Sequence, residues 1–161
     1  MRGRRILGID PGSRCTGYGI VDIRGSQLSP VAWGVIRTDA AGSFPDRLFE
    51  IHEKLSDLIR LHGPTEAAVE KVFLAKNAAA ALKLGQARGA AIVACRALGV
   101  AVHEYSAKEI KLAATGNGAA PKDQVAAMVR RLLGLREEIP ADASDALAMA
   151  YCRAATRVFA P

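Results

Sequence analysis

Arg4-Arg-Ile-Leu-Gly-Ile-Asp10 runs into Pro11-Gly12-Ser13 and then into Cys15-Thr-Gly-Tyr-Gly-Ile-Val-Asp-Ile23. The first stretch has the length and apolar character of a buried strand. The second is turn chemistry and the third a partner strand, so the chain opens on a β-hairpin. A third strand over 28–37, with Val31, Trp33, Val35 and Ile36, extends the hairpin into an antiparallel meander. The pattern then changes period. Leu48, Ile51, Leu55, Leu58 and Ile59 follow helical spacing between Pro45 and His62, and Gly63-Pro64 ends that helix. A strand over 66–72 follows, then a helix over 78–98, capped by Asn77 with Gly99 at its C′ position. A strand at 100–104 precedes helices over 106–114, 122–133 and 140–157, the last with Pro140 near its first turn. The order βββ-α-β-α-β-α-α-α specifies an α/β fold of three layers, a mixed five-stranded sheet flanked by helices. Residues 1–161 read as a single domain without internal repeat or linker.

Four acids stand where an acid is awkward. Asp10 closes the first apolar strand, and Glu70 closes Glu66-Ala-Ala-Val69. Asp142 and Asp145 lie in the alanine-rich helical stretch Ala141-Asp-Ala-Ser-Asp-Ala-Leu-Ala-Met-Ala150. A carboxylate at a buried strand end must be paired, protonated or on a metal. Several converging on one point repel one another unless a divalent cation lies between them. Geometry supports convergence: Asp142 and Asp145, three residues apart, share a helix face, and the surrounding alanines allow close approach to the sheet. Asp10 and Glu70 each end a strand, at the sheet edge where α/β sites form. Each acid also has a structural reading. Asp142 suits the positive end of a helix dipole, Asp10 before Pro-Gly suits a turn, and Glu70 could pair with Lys71.

Charge narrows the partner. Lys plus Arg number 22 against 16 Asp plus Glu, a net charge of +6 and a pI near 9.5. That balance favours a polyanion, nucleic acid first, with a solvated basic surface as the alternative. No apolar run reaches the roughly 20 residues of a membrane span, and no signal-peptide core follows the basic start. Cys15, Cys95 and Cys152 lack the close spacing of a zinc site and read as reduced packing residues, which fits a cytoplasmic protein.

At this point the motifs resemble a known family. Gly8-Ile-Asp-Pro-Gly-Ser-Arg14 with Thr16-Gly-Tyr-Gly19 is similar to the opening of RuvC, the bacterial Holliday-junction resolvases. So are Glu70-Lys-Val-Phe-Leu-Ala-Lys-Asn77, Ala81-Leu-Lys-Leu-Gly-Gln-Ala-Arg-Gly-Ala90 and Ala141-Asp-Ala-Ser-Asp-Ala-Leu-Ala148, in the same order over nearly the whole chain. The resemblance implies an RNase H-like fold, a homodimer, and a magnesium-dependent endonuclease that nicks two strands of a four-way DNA junction symmetrically. It makes Asp10, Glu70, Asp142 and Asp145 the metal-binding carboxylates. Some relatives carry histidine among the last two acids, whereas this chain has Asp at both. Two magnesium ions about 3.5–4 Å apart would activate water and relieve charge on the phosphate, with manganese as a substitute. Asp10 is expected to bridge the ions, and Glu70 and the Asp142/Asp145 pair to flank them. A branch-migration complex such as RuvA–RuvB is the partner the resemblance implies.

Five further residues are candidates for DNA contact. Phe73, in a segment with Lys71 and Lys76, could stack on an unpaired base at the crossover, or be a core aromatic. Lys108, Lys111 and Lys122 surround the Gly116-Asn-Gly118 loop, where their heads could meet phosphate. Lys83 and Arg88, on the long helix that is also the expected dimer element, carry no assigned role. Three other readings stay open. Gly8-Ile-Asp-Pro-Gly resembles the first phosphate loop of actin-like ATPases and sugar kinases, although 161 residues leave no room for their second domain. The chain could be a non-catalytic nucleic-acid-binding module, or an RNase H-like nuclease acting on RNA–DNA hybrids.

Overall fold

The computed structural model describes residues 3–72 and 77–158. Its elements follow the expected order: β1 (Arg4–Asp10), β2 (Cys15–Arg24), β3 (Gln27–Arg37), α1 (Phe44–His62), β4 (Glu66–Glu70), α2 (Ala78–Ala97), β5 (Ala101–Tyr105), α3 (Ala107–Thr115), α4 (Lys122–Leu132) and α5 (Ala141–Val158). The strands lie in the order β3-β2-β1-β4-β5. β1, β2 and β3 pair antiparallel, while β4 runs parallel to both β1 and β5. The sheet is mixed, as the sequence predicts. β4 stops at Glu70, not at residue 72. Glu70 is in register with Tyr105, the last residue of β5, and beyond it the ladder has no strand left to pair with.

Strand alternation sorts the core into two halves. Leu7, Ile9, Ala67 and Val69 pack with Ile51, Leu55 and Ile59 of α1 and Ala87, Ala91 and Ala94 of α2. Ile6, Val21 and Ala68 face the other way, onto α3, α4 and α5. Asp10 and Glu70 fall in the same alternation as Ile6 and Ala68, so both point toward the α5 layer. The caps are those the sequence advertises. Asn77 accepts from the N–H groups of Ala79 and Ala80, and Ser106 and Glu109 form a reciprocal capping box. Gly63 and Gly99 close α1 and α2 with φ of 62° and 77°.

α5 is the buried centre of its layer, with Ala143, Ala146, Leu147, Ala150 and Ala154 fully buried. It reaches the sheet through glycines. A β-carbon on Gly8 would collide with the Ala146 carbonyl, and one on Gly17 with the Asp142 carbonyl. One on Gly19 would lie 2.6 Å from Leu147 Cγ. Helix backbone therefore rests directly on strand backbone. At the far end of the sheet Glu66, only 8% exposed, receives Arg4 Nε at 2.7 Å and Arg153 Nε at 2.6 Å. Burial alone would raise its carboxyl, but the two guanidinium hydrogen bonds outweigh burial and hold it at about 2.

Two outcomes follow. Gly17→Ala forces α5 off the sheet and should lower unfolding free energy by about 2 kcal/mol, read from urea denaturation. Glu66→Gln leaves two guanidinium groups without their anion and should cost about 3 kcal/mol at pH 7. The folded carboxyl titrates below its ordinary value, so its stabilising share is present above about pH 4.5 and fades as pH falls toward 2. The difference between wild type and Glu66→Gln should therefore narrow between pH 4.5 and pH 2, and a constant difference would contradict the ion-pair account.

Candidate metal centre

Three of the four acids meet. One carboxylate oxygen each from Asp10, Asp142 and Asp145 lie within 4.8 Å of one another, all half-buried. β1 delivers Asp10 from below. The first two turns of α5 deliver Asp142 and Asp145 from above, at a height set by Gly8 and Gly17. Glu70 does not join that group of atoms. It lines a cavity of about 260 Å³ with Asp145, Lys111, Lys122, Ile110, Val125 and Met149. The cavity is polar where the acids and lysines enter and apolar on its α3, α4 and α5 walls.

The electrostatics are those of a site awaiting positive charge. Burial, then repulsion from Asp145 and Asp142, pushes the Asp10 carboxyl up to about 7, despite some relief from Lys122. Burial and Asp145 also raise Glu70, opposed by Lys122 and Lys111. Lys122 Nζ stands 2.7 Å from Asp145 Oδ2, and this hydrogen bond raises the lysine further above its usual value. One flexible ammonium, 72% exposed, is a poor match for several converging carboxylates. A hard divalent cation with oxygen ligands suits them better, because such ions take carboxylate oxygens and keep part of their water shell. The donor set therefore fits a metal of the magnesium type.

The remaining candidates divide. Lys111 lines the same cavity as Glu70 and Asp145. Lys108 is exposed and lays its stem over Gly118, where a β-carbon would stand 2.7 Å from Lys108 Cγ; it is not part of the cavity wall. Phe73 and Lys76 lie outside the described residues. All three cysteines are free, and burial pushes Cys95 up to about 12 and Cys152 to about 11, which suits inert packing thiols. None of the described helices is long and apolar enough to cross a membrane.

One supporting residue escaped the sequence reading. The hydroxyl of Thr16, fully buried, donates to the Gly12 carbonyl at 3.0 Å and accepts from the Gly12 N–H at 3.3 Å. This clamp closes the turn immediately after Asp10 and fixes the direction in which the strand end presents its carboxylate. A threonine directly before the Gly-Tyr-Gly run was the available signal, since a buried hydroxyl needs a partner.

Comparison with known proteins gives the family. A family model described as "Crossover junction endodeoxyribonuclease RuvC" matches residues 6–153. The crossover junction endodeoxyribonuclease RuvC of Solidesulfovibrio magneticus is 54% identical over 147 residues, covering 91% of this chain and 87% of the relative. That of Citrifermentans bemidjiense is 56% identical over 149 residues, with 92% and 91% covered. Among solved structures, Thermus thermophilus RuvC in complex with a Holliday junction substrate superposes with a TM-score of 0.90 at 34% identity, covering 96% of this chain and 94% of that one. The five-stranded mixed sheet with its flanking helices is thus the RNase H-like fold expected from the motifs. The chain belongs to the RuvC family of crossover junction endodeoxyribonucleases.

Proposed function

We propose that this chain resolves four-way DNA junctions by paired symmetric nicks, with two magnesium ions held by Asp10, Asp142, Asp145 and Glu70. The observation that carries the reading is the gathering of three half-buried aspartates within 4.8 Å, where a strand end meets the start of α5, in a protein with net charge +6. An acidic point on a basic protein would repel phosphate; loaded with divalent cations it attracts it. When bound, the ions supply Lewis-acid stabilisation and a water that is nucleophilic near neutral pH, and manganese is expected to serve in their place.

The chain's own residues do the rest. Asp10, which ends its strand just before the turn closed by the Thr16 clamp, would hold the ions together with the α5 acids and Glu70. Lys111 and Lys122 bring ammonium groups to the rim of the cavity, where the scissile phosphate must pass. Lys122 rests on Asp145 and is free to turn to phosphate once that carboxylate is otherwise engaged. Ile110, Val125 and Met149 wall the cavity and limit water. Lys108, Lys76 and Phe73 extend the DNA-contacting set, Phe73 by stacking on a base freed at the crossover.

A junction has two equivalent strands to cut, so the reading calls for two equivalent sites. α2 supports a two-fold dimer. Leu82 and Val93 are 68% and 58% exposed, and β-carbons added to Gly85 or Gly89 would meet nothing within 4 Å. This is an apolar stripe with small residues at its middle, suited to close helix crossing with a second copy. The single domain, the RuvA–RuvB partner and a cytoplasmic setting belong to the same proposal.

The decisive assay is incision of an end-labelled synthetic four-way junction beside matched linear duplex and RNA–DNA hybrid. Paired, magnesium-dependent nicks in opposite strands of the junction alone are expected. Cleavage of the hybrid instead would keep the metal centre and change the substrate; binding without any cleavage would sink the nuclease reading. A second outcome concerns Asp10. The folded carboxyl titrates above its ordinary value, so ionising it destabilises the metal-free protein progressively from about pH 4 to pH 7. Asp10→Asn should abolish cleavage, yet melt about 5 °C or more above wild type at pH 8 in EDTA, with the gap narrowing as pH falls to 5 and closing only below about pH 4. A variant that melts lower at both pH values would refute this account of the site.

A further inference from the structure

α2 lies on the sheet face opposite α5, yet one of its side chains reaches the strand end that carries Glu70. Arg88, with only 16% of its side chain exposed, donates from Nε to the main-chain carbonyl of Glu70 at 3.0 Å. Its Nη2 stands 3.1 Å from Oε1 of Glu104 on β5. The pairing of β4 with β1 runs from Glu66 to Val69, so the Glu70 carbonyl lies one residue past the end of that ladder. On the other side the Lys71 N–H donates to the Tyr105 carbonyl at 2.8 Å, the last rung toward β5. Without Arg88 the peptide after Glu70 would be held from one side only.

Strand alternation gives the contact its logic. Glu70 and Tyr105 face the α5 layer, while Glu104, one residue earlier on β5, faces α2. Arg88 therefore grips from behind the peptide whose side chain is presented to the acidic centre. Glu104 aims the guanidinium, and the guanidinium aims the peptide. A rotation at a strand end carries a long side chain through an ångström or more, and misplacements of that size cost about 100-fold in rate.

On the reading that Glu70 is a metal ligand, we infer that Arg88 is a positioning residue: it fixes the angle at which the Glu70 carboxylate enters the metal centre. Because Arg88 sits between Gly85 and Gly89, it ties that angle to the helix offered to the second copy. A purely structural arginine would staple α2 to β4 and β5 and affect melting alone, so the two roles differ in what they change.

The test measures Mn2+ affinity of the full-length protein without DNA by calorimetry. Beside it run single-turnover junction cleavage, junction binding in EDTA and melting in EDTA. Arg88→Met should weaken Mn2+ binding about tenfold and slow cleavage about 10- to 100-fold, with junction affinity in EDTA within about twofold of wild type. Arg88→Lys keeps one donor for the carbonyl and should recover most of both losses. Glu104→Gln should shift both in the same direction by about threefold, and it and Arg88→Lys carry the test if Arg88→Met does not fold. A drop in melting temperature with wild-type Mn2+ affinity and cleavage rate would overturn the inference. Glu70→Gln, measured in parallel, separates the two levels. If it weakens Mn2+ binding while the Arg88 and Glu104 variants do not, only the positioning role falls. If Glu70→Gln also leaves Mn2+ binding untouched, Glu70 is no ligand and the positioning role falls with it.

Discussion

α5 rests on β1 and β2 at Gly8, Gly17 and Gly19, where no β-carbon stands between helix backbone and sheet. The height of the helix above the strands is set there, and that height decides whether Asp142 and Asp145 reach Asp10. A methyl group at position 17 would occupy the space of the Asp142 carbonyl and lift the very residue that must descend to the centre. The buried alanines at 143, 146 and 150 serve the same end from the helix side. Close packing that elsewhere adds only stability here sets the separation of three carboxylates.

That closeness imposes opposed demands on Asp10. Burial and two neighbouring acids favour its neutral form, whereas the metal binding proposed for it needs it ionised. Among the described residues, Lys122 opposes that rise without cancelling it. The nearby ammonium, Lys122, engages Asp145 and leaves Asp10 high. On the proposed reading, the repulsion that raises Asp10 in the metal-free protein is what a divalent ion at these carboxylates would relieve. Stability forgone at a site in this way is a common mark of function.

Much of this was legible in the chain. Hairpin, meander, helix caps and the mixed sheet followed from period-two and period-3.6 patterns with Gly and Pro punctuation, and element ends agree to within a residue or two. The strand after α1 was overextended because Lys71 and Val72 continue its β-like pattern, while its actual end depends on where β5 stops, a non-local fact. Asp10 and Glu70 stand out because charge at a strand end is costly, and Asp142 and Asp145 because they share one face of an alanine-rich helix. The glycines did not stand out as devices of approach. Gly8, Gly17 and Gly19 read locally as members of two strands and of the family-like motif, and their purpose requires knowing which helix lies over them. The Thr16 clamp and the reach of Arg88 were invisible for the same reason, since both join residues brought together only by folding.

β4 displays two solutions to one problem. Glu66 and Glu70 stand four residues apart on the same strand and point to the same side of the sheet. Glu66 meets Arg4 and Arg153, and its carboxyl is driven down to about 2. Glu70 meets Asp145 and two lysines that approach without neutralising it, and its carboxyl is raised. The chain has arginines to spare, and Arg88 is already within hydrogen-bonding distance of the Glu70 backbone. Yet its guanidinium binds the carbonyl and Glu104, not the Glu70 carboxylate. At one end of the strand a buried carboxylate meets two guanidinium groups; at the other, the described lysines near Glu70 leave its carboxyl raised. An acid fixed in position yet left under-neutralised is what a site needs if it is to take its positive charge from solution.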